Sequence, residues 1–267
     1  MYDLRLQLGF NFDALLTAIE DEQGSTTQVH DPEALSNCVA IALNALQGAD
    51  YIAVSLTSSA FVQRVLDILA AVARHRLLLR VPANDSALIE KASALAPAQI
   101  CLVMSESVSI DSRLIPAVSD SCSEANTPEI LVSLPASDTI DLTALPEGVE
   151  GVCLDTRAWA SCRGAEREQK LSALRSIVEH ANDTDRFVHL TELPSLKDAE
   201  EAAALPGVSA IEIGSAILSA GLQKGLDTVL QTLLATLVKA QEAGLQLALE
   251  DHEHHHHDHD ADCGCHH

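Results

Sequence analysis

The sequence predicts an α/β protein: one (β/α)8 TIM barrel followed by a disordered His/Asp/Cys-rich tail. Three observations predict it. Eight short apolar runs alternate with helical stretches, no linker rich in Pro, Gly or Ser splits the chain, and the composition changes abruptly after Leu249. Apolar strands of four to seven residues joined through helices form a parallel sheet buried on both faces. Eight such units in about 250 residues fit a closed barrel better than an open doubly wound sheet. The first run starts almost at residue 1 and the eighth ends near residue 213, which also favours closure. The expected boundaries are 1–249 for the barrel and 250–267 for the tail.

The elements follow in order. Leu4–Phe10 reads as the first strand, and Pro32–Leu46 as a helix with Asp31 as its cap and Pro32 at its first position. Tyr51–Leu56 and Leu77–Val81 are strands, followed by helices over Ser59–Arg74 and Asp85–Leu95. Ile100–Met104 is the fourth strand. The stretch Ser105–Thr127, with Pro116 and many serines, is irregular. Glu129–Leu134 is the fifth strand, with only a short weak helix near Leu142–Leu145 after it. Gly151–Leu154 precedes a long helix over Ala165–Ala181, and Phe187–Leu190 precedes Leu196–Leu205. Val208–Ile213 is the eighth strand. Ser215 opens a last helical region running to about Leu249, whose Leu226, Val229, Leu230, Leu233 and Leu237 suit one face covering the barrel or a subunit contact.

Composition excludes several functions. Hydrophobic residues make up 47% of the chain and charged residues 21%, ample for a large core. The formal charge is −23, and the body alone holds 33 acidic against 16 basic residues, which repels nucleic acid and anionic lipid. No apolar run reaches the roughly 18 residues that span a bilayer. The start, MYDLRLQLGFNFD, lacks the pattern of a secretory signal. Five body cysteines (Cys38, Cys101, Cys122, Cys153, Cys162) without framework spacing read as reduced thiols, so a cytoplasmic protein is expected.

The tail, EDHEHHHHDHDADCGCHH, holds eight of the 12 His, two of the 7 Cys, six acids and no Lys or Arg. Imidazole and thiolate are good ligands for Zn²⁺ and Ni²⁺, and carboxylates can complete a shell. The expected ligands are His252, His254, His255, His256, His257, His259, Cys263, Cys265, His266 and His267. The bland alternative is an expression tag. Against it, the longest His run is four, the His alternate with Asp and Glu, and Cys-Gly-Cys is no tag element. Zn or Ni is the cofactor expected, and no organic cofactor.

In such a barrel the working residues stand at the carboxyl ends of the strands. Asp13, Arg80, Glu106, Asp155, Arg157 and Glu192 fall there, and each has a bland alternative as a helix cap or rim ion pair. Gly214-Ser215, leaving the eighth strand into a helix start, suits a phosphate cradle for a small phosphorylated ligand. There is no Ser-His-Asp order, P-loop or GxGxxG, and His189 in RFVHLTE is placed to point into a strand face.

Four blocks carry a family resemblance: LGFNFDAL, HDPEALSNCVAIALNALQGADYIAVSL, QICLVMSE and VSAIEIGSAILSAGLQKGLDTVL. Together, over about Leu8–Ala240, they resemble pyridoxine 5'-phosphate synthase, the (β/α)8 transferase of vitamin B6 and pyridoxal phosphate biosynthesis. The resemblance implies a homo-oligomer and carries Asn11, Asp13 and Gly214 over as matching site positions, with Ser215 beside them. Elsewhere the sequence departs from it. Ala14 stands for a His, Ser55-Leu56-Thr57 for His-Leu-Arg, Arg80 for a catalytic Glu, Cys153 for a second Glu, Thr191-Glu192-Leu193 for Gly-His-Gly, and Ser215 for a His. The acidic Glu20-Asp21-Glu22 stands where the family has a phosphate-binding Arg. Such losses remove groups able to move protons near neutrality and to grip phosphate. The expectation is a barrel that kept the fold and lost the chemistry. The alternative is an active divergent synthase working through Asp13, Arg80, Cys153, Asp155 and Glu192.

Overall fold

A computed structural model describes residues 5–23, 32–104, 115, 118, 127–136 and 141–257, with the backbone alone for 251–257. Asp31, Glu106, Cys122, most of 105–127 and the tail residues His259, Cys263, Cys265, His266 and His267 lie outside them.

Eight parallel strands close in sequence order: β1 (Gln7–Asn11), β2 (Tyr51–Ser55), β3 (Leu77–Pro82), β4 (Gln99–Val103), β5 (Glu129–Pro135), β6 (Gly151–Asp155), β7 (Phe187–Leu193) and β8 (Ala210–Ile213). β1 pairs with β8 through Gln7–Ala210 and Phe10–Ile213, which shuts the barrel. The expected fold is therefore the observed one.

The helices are α1 (Asp13–Gln23), α2 (Pro32–Ala45), α3 (Ala60–Ala73), α4 (Ser86–Leu95), α5 (Arg157–Ala160), α6 (Gly164–Asp183), α7 (Leu196–Ala203), α8 (Ser215–Lys224) and α9 (Leu226–His257). Local chemistry fixes several starts. The Ser59 hydroxyl accepts from Val62 N at 3.3 Å, and the Asp85 carboxylate accepts from Leu88 N at 3.0 Å. Each satisfies a backbone donor that a first helical turn leaves free. A single 3₁₀ turn, Leu142–Ala144, stands where a weak helix was expected.

The structure differs from expectation in four places. α1 follows β1 directly, because Leu15, Leu16 and Ile19 give an otherwise acidic stretch an inward face. β7 runs three residues beyond Leu190, through a register shift against β8 between Leu190 and Leu193. Gly225, with φ of 85°, breaks the last helical region into α8 and α9. The backbone of α9 also passes the compositional boundary at Leu249 and stays helical to His257.

The outer face of the sheet packs against the helices. Leu8, Phe10, Ile52, Leu79, Val81, Ile100 and Leu102 are fully buried there. α9 joins this layer: Val229, Leu230, Leu233 and Leu237 are buried, so this stripe covers the barrel. Inside the barrel a second set, Tyr51, Ala53, Leu78, Cys101, Leu131, Cys153 and Ala210, fills the axis. Gly9 faces Tyr51 in the β1–β2 register, and a Cβ on Gly9 would overlap the Tyr51 ring. The aromatic ring thus occupies space that only glycine leaves open.

Candidate functional site

The mouth is built where β1 turns into α1. The Asn11 side chain accepts from Asp13 N at 3.0 Å, a two-residue turn that brings Asp13 to the first position of α1. Asp13 then takes Ser55 N and the Ser55 hydroxyl, both at 2.7 Å, tying β1 to the end of β2. Its Oδ2 also accepts from Arg80 Nη1 at 3.3 Å. On the other side Arg80 Nη2 donates to Glu212 Oε1. Arg80 and Glu212 are buried, and Asp13 is partly open to solvent. Glu212 Oε2 is buried without a hydrogen-bond partner among the described residues.

Gly214 stands beside this bridge. A Cβ there would lie 2.9 Å from the Asn11 carbonyl oxygen, so the close approach of β8 to β1 requires glycine. The Gly214 carbonyl accepts from Ile217 N and Leu218 N, opening α8, and Ser215 is exposed at its first position. Asn11, Asp13, Gly214 and Ser215 therefore converge on one side of the mouth. Ser215 N–H faces the environment of a helix start, which favours an anion.

Asp155 and Arg157 pair with each other, Arg157 Nε lying 2.9 Å from Asp155 Oδ2, as an exposed rim bridge. The Asp155 carboxylate, first by hydrogen bonding and then by charge, holds the guanidinium above its ordinary pKa, with Glu192 adding to it. Glu192 is exposed and has φ of 61°. A non-glycine residue in the left-handed region at the end of a barrel strand is a local strain of the kind concentrated at functional sites.

Below the mouth lies a polar column that the sequence reading placed only in part. His189 is buried in the barrel, as its alternation implied, and its Nδ1 lies 3.4 Å from the Tyr51 hydroxyl with the rings stacked at 5.8 Å. Cys153 is not a mouth residue: it is 1% exposed and next to His189 in the β6–β7 register. The Cys101 thiol donates to Cys153, which pushes Cys101 up and holds Cys153 below the ordinary thiol pKa, helped by His189. Burial raises the Tyr51 hydroxyl.

Glu212 was missed. It sits within the apolar run VSAIEI, whose alternation places it on the inner face of β8. A charged residue in a strand buried on both faces was the available signal.

Glu212, Arg80 and Asp13 thus define a (β/α)8 barrel with a charged floor at the carboxyl ends of its strands. Solved structures show the same fold. KGPDC from Streptococcus mutans in complex with D-R5P is 11% identical, with a TM-score of 0.57 over 88% of this chain and 97% of that one. The 7,8-dihydropteroate synthase from Vibrio fischeri ES114 is 10% identical, with a TM-score of 0.54 over 87% and 93%. A native KDPGal structure is 14% identical, with a TM-score of 0.53 over 92% and 98%. No curated protein matches the chain.

The family is shown by sequence. Residues 27–239 match the profile of the pyridoxal phosphate biosynthesis protein PdxJ, and the chain belongs to that family.

Among the described residues no group of three or more His, Cys, Asp or Glu is arranged to hold a metal. No helix of the described residues is long and apolar enough to cross a membrane. Of the expected tail ligands, His252 and His254–His257 stand on the helical backbone of α9.

Proposed function

We propose that this PdxJ-family barrel does not run the synthase reaction and that the chain binds Zn²⁺ or Ni²⁺ through its tail, keeping an anion site at Gly214-Ser215. The observation that carries the first part is the Asp13–Arg80–Glu212 bridge. Arg80 occupies the strand position that the resemblance gives to a catalytic Glu, and both its terminal nitrogens are engaged by carboxylates. A guanidinium does not exchange protons near neutrality, and an engaged one has little capacity left for a substrate phosphate. Ser55 supplies a hydroxyl where His-Leu-Arg would supply an imidazole, and Glu192 a carboxylate where Gly-His-Gly would supply another imidazole. Among the described residues the body histidines are elsewhere: His189 in the core, His75 before β3 and His180 near the end of α6.

Proton transfer by imidazole and the grip of a free Arg on phosphate are what the altered mouth lacks. What it retains is positioning: Asn11 sets Asp13, Asp13 holds Ser55 and Arg80, and the first turn of α8 presents backbone N–H groups.

The second part rests on the donor set of the tail and on where the tail leaves the barrel. Gln241 Nε2 donates to the Val208 carbonyl at 3.3 Å, and Gly244 packs on the Ala204 carbonyl. Both partners precede β8, so α9 exits at the amino-terminal ends of the strands, opposite the mouth. Metal bound there acts independently of the mouth of its own chain. A cytoplasmic homo-oligomer is the setting we propose.

A competing reading, an active divergent synthase, has one observation in its favour: Glu212 Oε2, a buried carboxylate oxygen left without a partner. Titration calorimetry with ZnCl₂ and NiCl₂ tests the metal reading on the full chain and on a chain ending at Leu249. Several equivalents on the first and none on the second are expected. Equal uptake would move the site into the barrel.

A further inference from the structure

We propose that metal uptake locks the end of α9 into a helix, with His252 and His256 as the first chelating pair; this rests on the metal-binding reading above. Gly244 of α9 packs on the Ala204 carbonyl, and Ala248, one turn on, is partly buried in a groove it shares with Leu171 and Arg175 of α6. Nine more residues follow in helical conformation, to His257. Leu245 and Leu247 border grooves with the neighbouring elements, yet they are 44% and 63% exposed, and Leu249 is 66% exposed. No apolar residue follows Leu249 in α9, so from Glu250 onward the helix must hold itself.

The residues there are poorly suited to do so. Glu250, Asp251 and Glu253 put negative charge in the last turns, beside the negative end of the helix dipole. Histidine is a mediocre helix former, and a terminal segment without packing frays. A bound divalent cation reverses each of these penalties. It neutralises the carboxylates, opposes the dipole, and links two positions one turn apart.

The spacing is matched to this. Four consecutive residues, Glu250, Asp251, His252 and Glu253, precede four consecutive histidines, His254–His257, by four positions. On a helical backbone residues four apart share a face. Every member of the first set therefore has an imidazole-bearing residue one turn on, and His252 with His256 is the all-imidazole pair. Two His at this spacing on a helix form a recognised Zn²⁺-binding arrangement. In an extended chain the same residues hold no fixed separation, so chelation and helix formation favour each other.

Peptide-resolved amide hydrogen exchange on the full-length protein tests this, with ZnCl₂ alone as the probe and calorimetry run in parallel. Exchange across residues 250–257 is expected to slow at least tenfold at one equivalent of metal. His256→Gln should weaken the tightest site at least tenfold. Glu253→Pro, which leaves every His and Cys in place but breaks the helix, should do the same. Both changes lie in the terminal turns of α9, well past the residues that cover the barrel, so the barrel stays folded. Tight binding that leaves exchange unchanged, or that survives Glu253→Pro undiminished, overturns the metal-locked helix while leaving tail binding intact. No uptake by the full-length chain overturns the tail reading itself.

Discussion

Arg80 and Glu212 meet across the floor of the barrel, Nη2 of the first donating to Oε1 of the second. Their strands are not neighbours: β1 and β2 stand between β3 and β8 in the closed order. The pair therefore bridges the lumen, and Asp13 from the β1–α1 turn closes the bridge from the solvent side. Two carboxylates face one guanidinium, and the Glu212 side chain has no exposure.

Removing Arg80 alone should therefore be severe. Arg80→Met leaves a buried carboxylate without its counter-charge, a change that costs about 3–5 kcal/mol in buried pairs. Arg80→Met combined with Glu212→Met should recover most of that loss, because the unpaired charge goes too. Urea unfolding of the two single variants and the double variant measures the coupling. Additive losses would mean that the two residues do not act as a pair.

Gly9→Ala should destabilise by about 1–3 kcal/mol, the usual range for forcing extra volume into a packed interior. The new methyl group would collide with the Tyr51 ring, which is itself packed inside the barrel. In Gly9→Ala with Tyr51→Leu the combined loss should be smaller than the sum of the two single losses. Thermal unfolding of the set distinguishes this collision from a general intolerance of change at Gly9.

Cys38, buried in α2, should contribute an alkaline sensitivity. Burial pushes its thiol from an ordinary 9.0 up to about 11. The folded chain then holds a proton that the unfolded chain releases more easily. The stabilisation is full below pH 9 and is lost as pH rises through about 11. Cys38→Ala should flatten this part of the stability curve relative to the parent, read by urea unfolding from pH 8 to pH 11. An unchanged slope would place the alkaline loss in other groups.

The barrel was legible because its evidence is periodic. Eight apolar runs with helical stretches between them state the fold, and the strand limits differ from those expected by only a few residues. α1 was hidden because five of its 11 residues are charged or polar acids and amides, and its few apolar side chains face in only after the barrel closes. Asn11, Asp13, Gly214 and Ser215 were legible as a group, since all lie at strand ends. Glu212 was not, because the guanidinium it meets comes from a strand about 130 residues away. Cys153 was legible by type and misplaced by depth: the residue two positions on, Asp155, is the one that reaches the rim.

In the function we propose, this mouth no longer performs the family's chemistry. Loss of one acid–base group commonly costs 10²–10⁴ in rate, and several such positions differ here. The most direct measurement is growth, without added vitamin B6, of a cell that lacks its own pyridoxine 5'-phosphate synthase and expresses this chain. No growth is expected, with the folded protein present at the level of an active synthase that does restore growth. Growth at a rate comparable to that control would show that the mouth still runs the synthase chemistry, and would make Glu212 the first residue to test as the acid–base group of a rebuilt site.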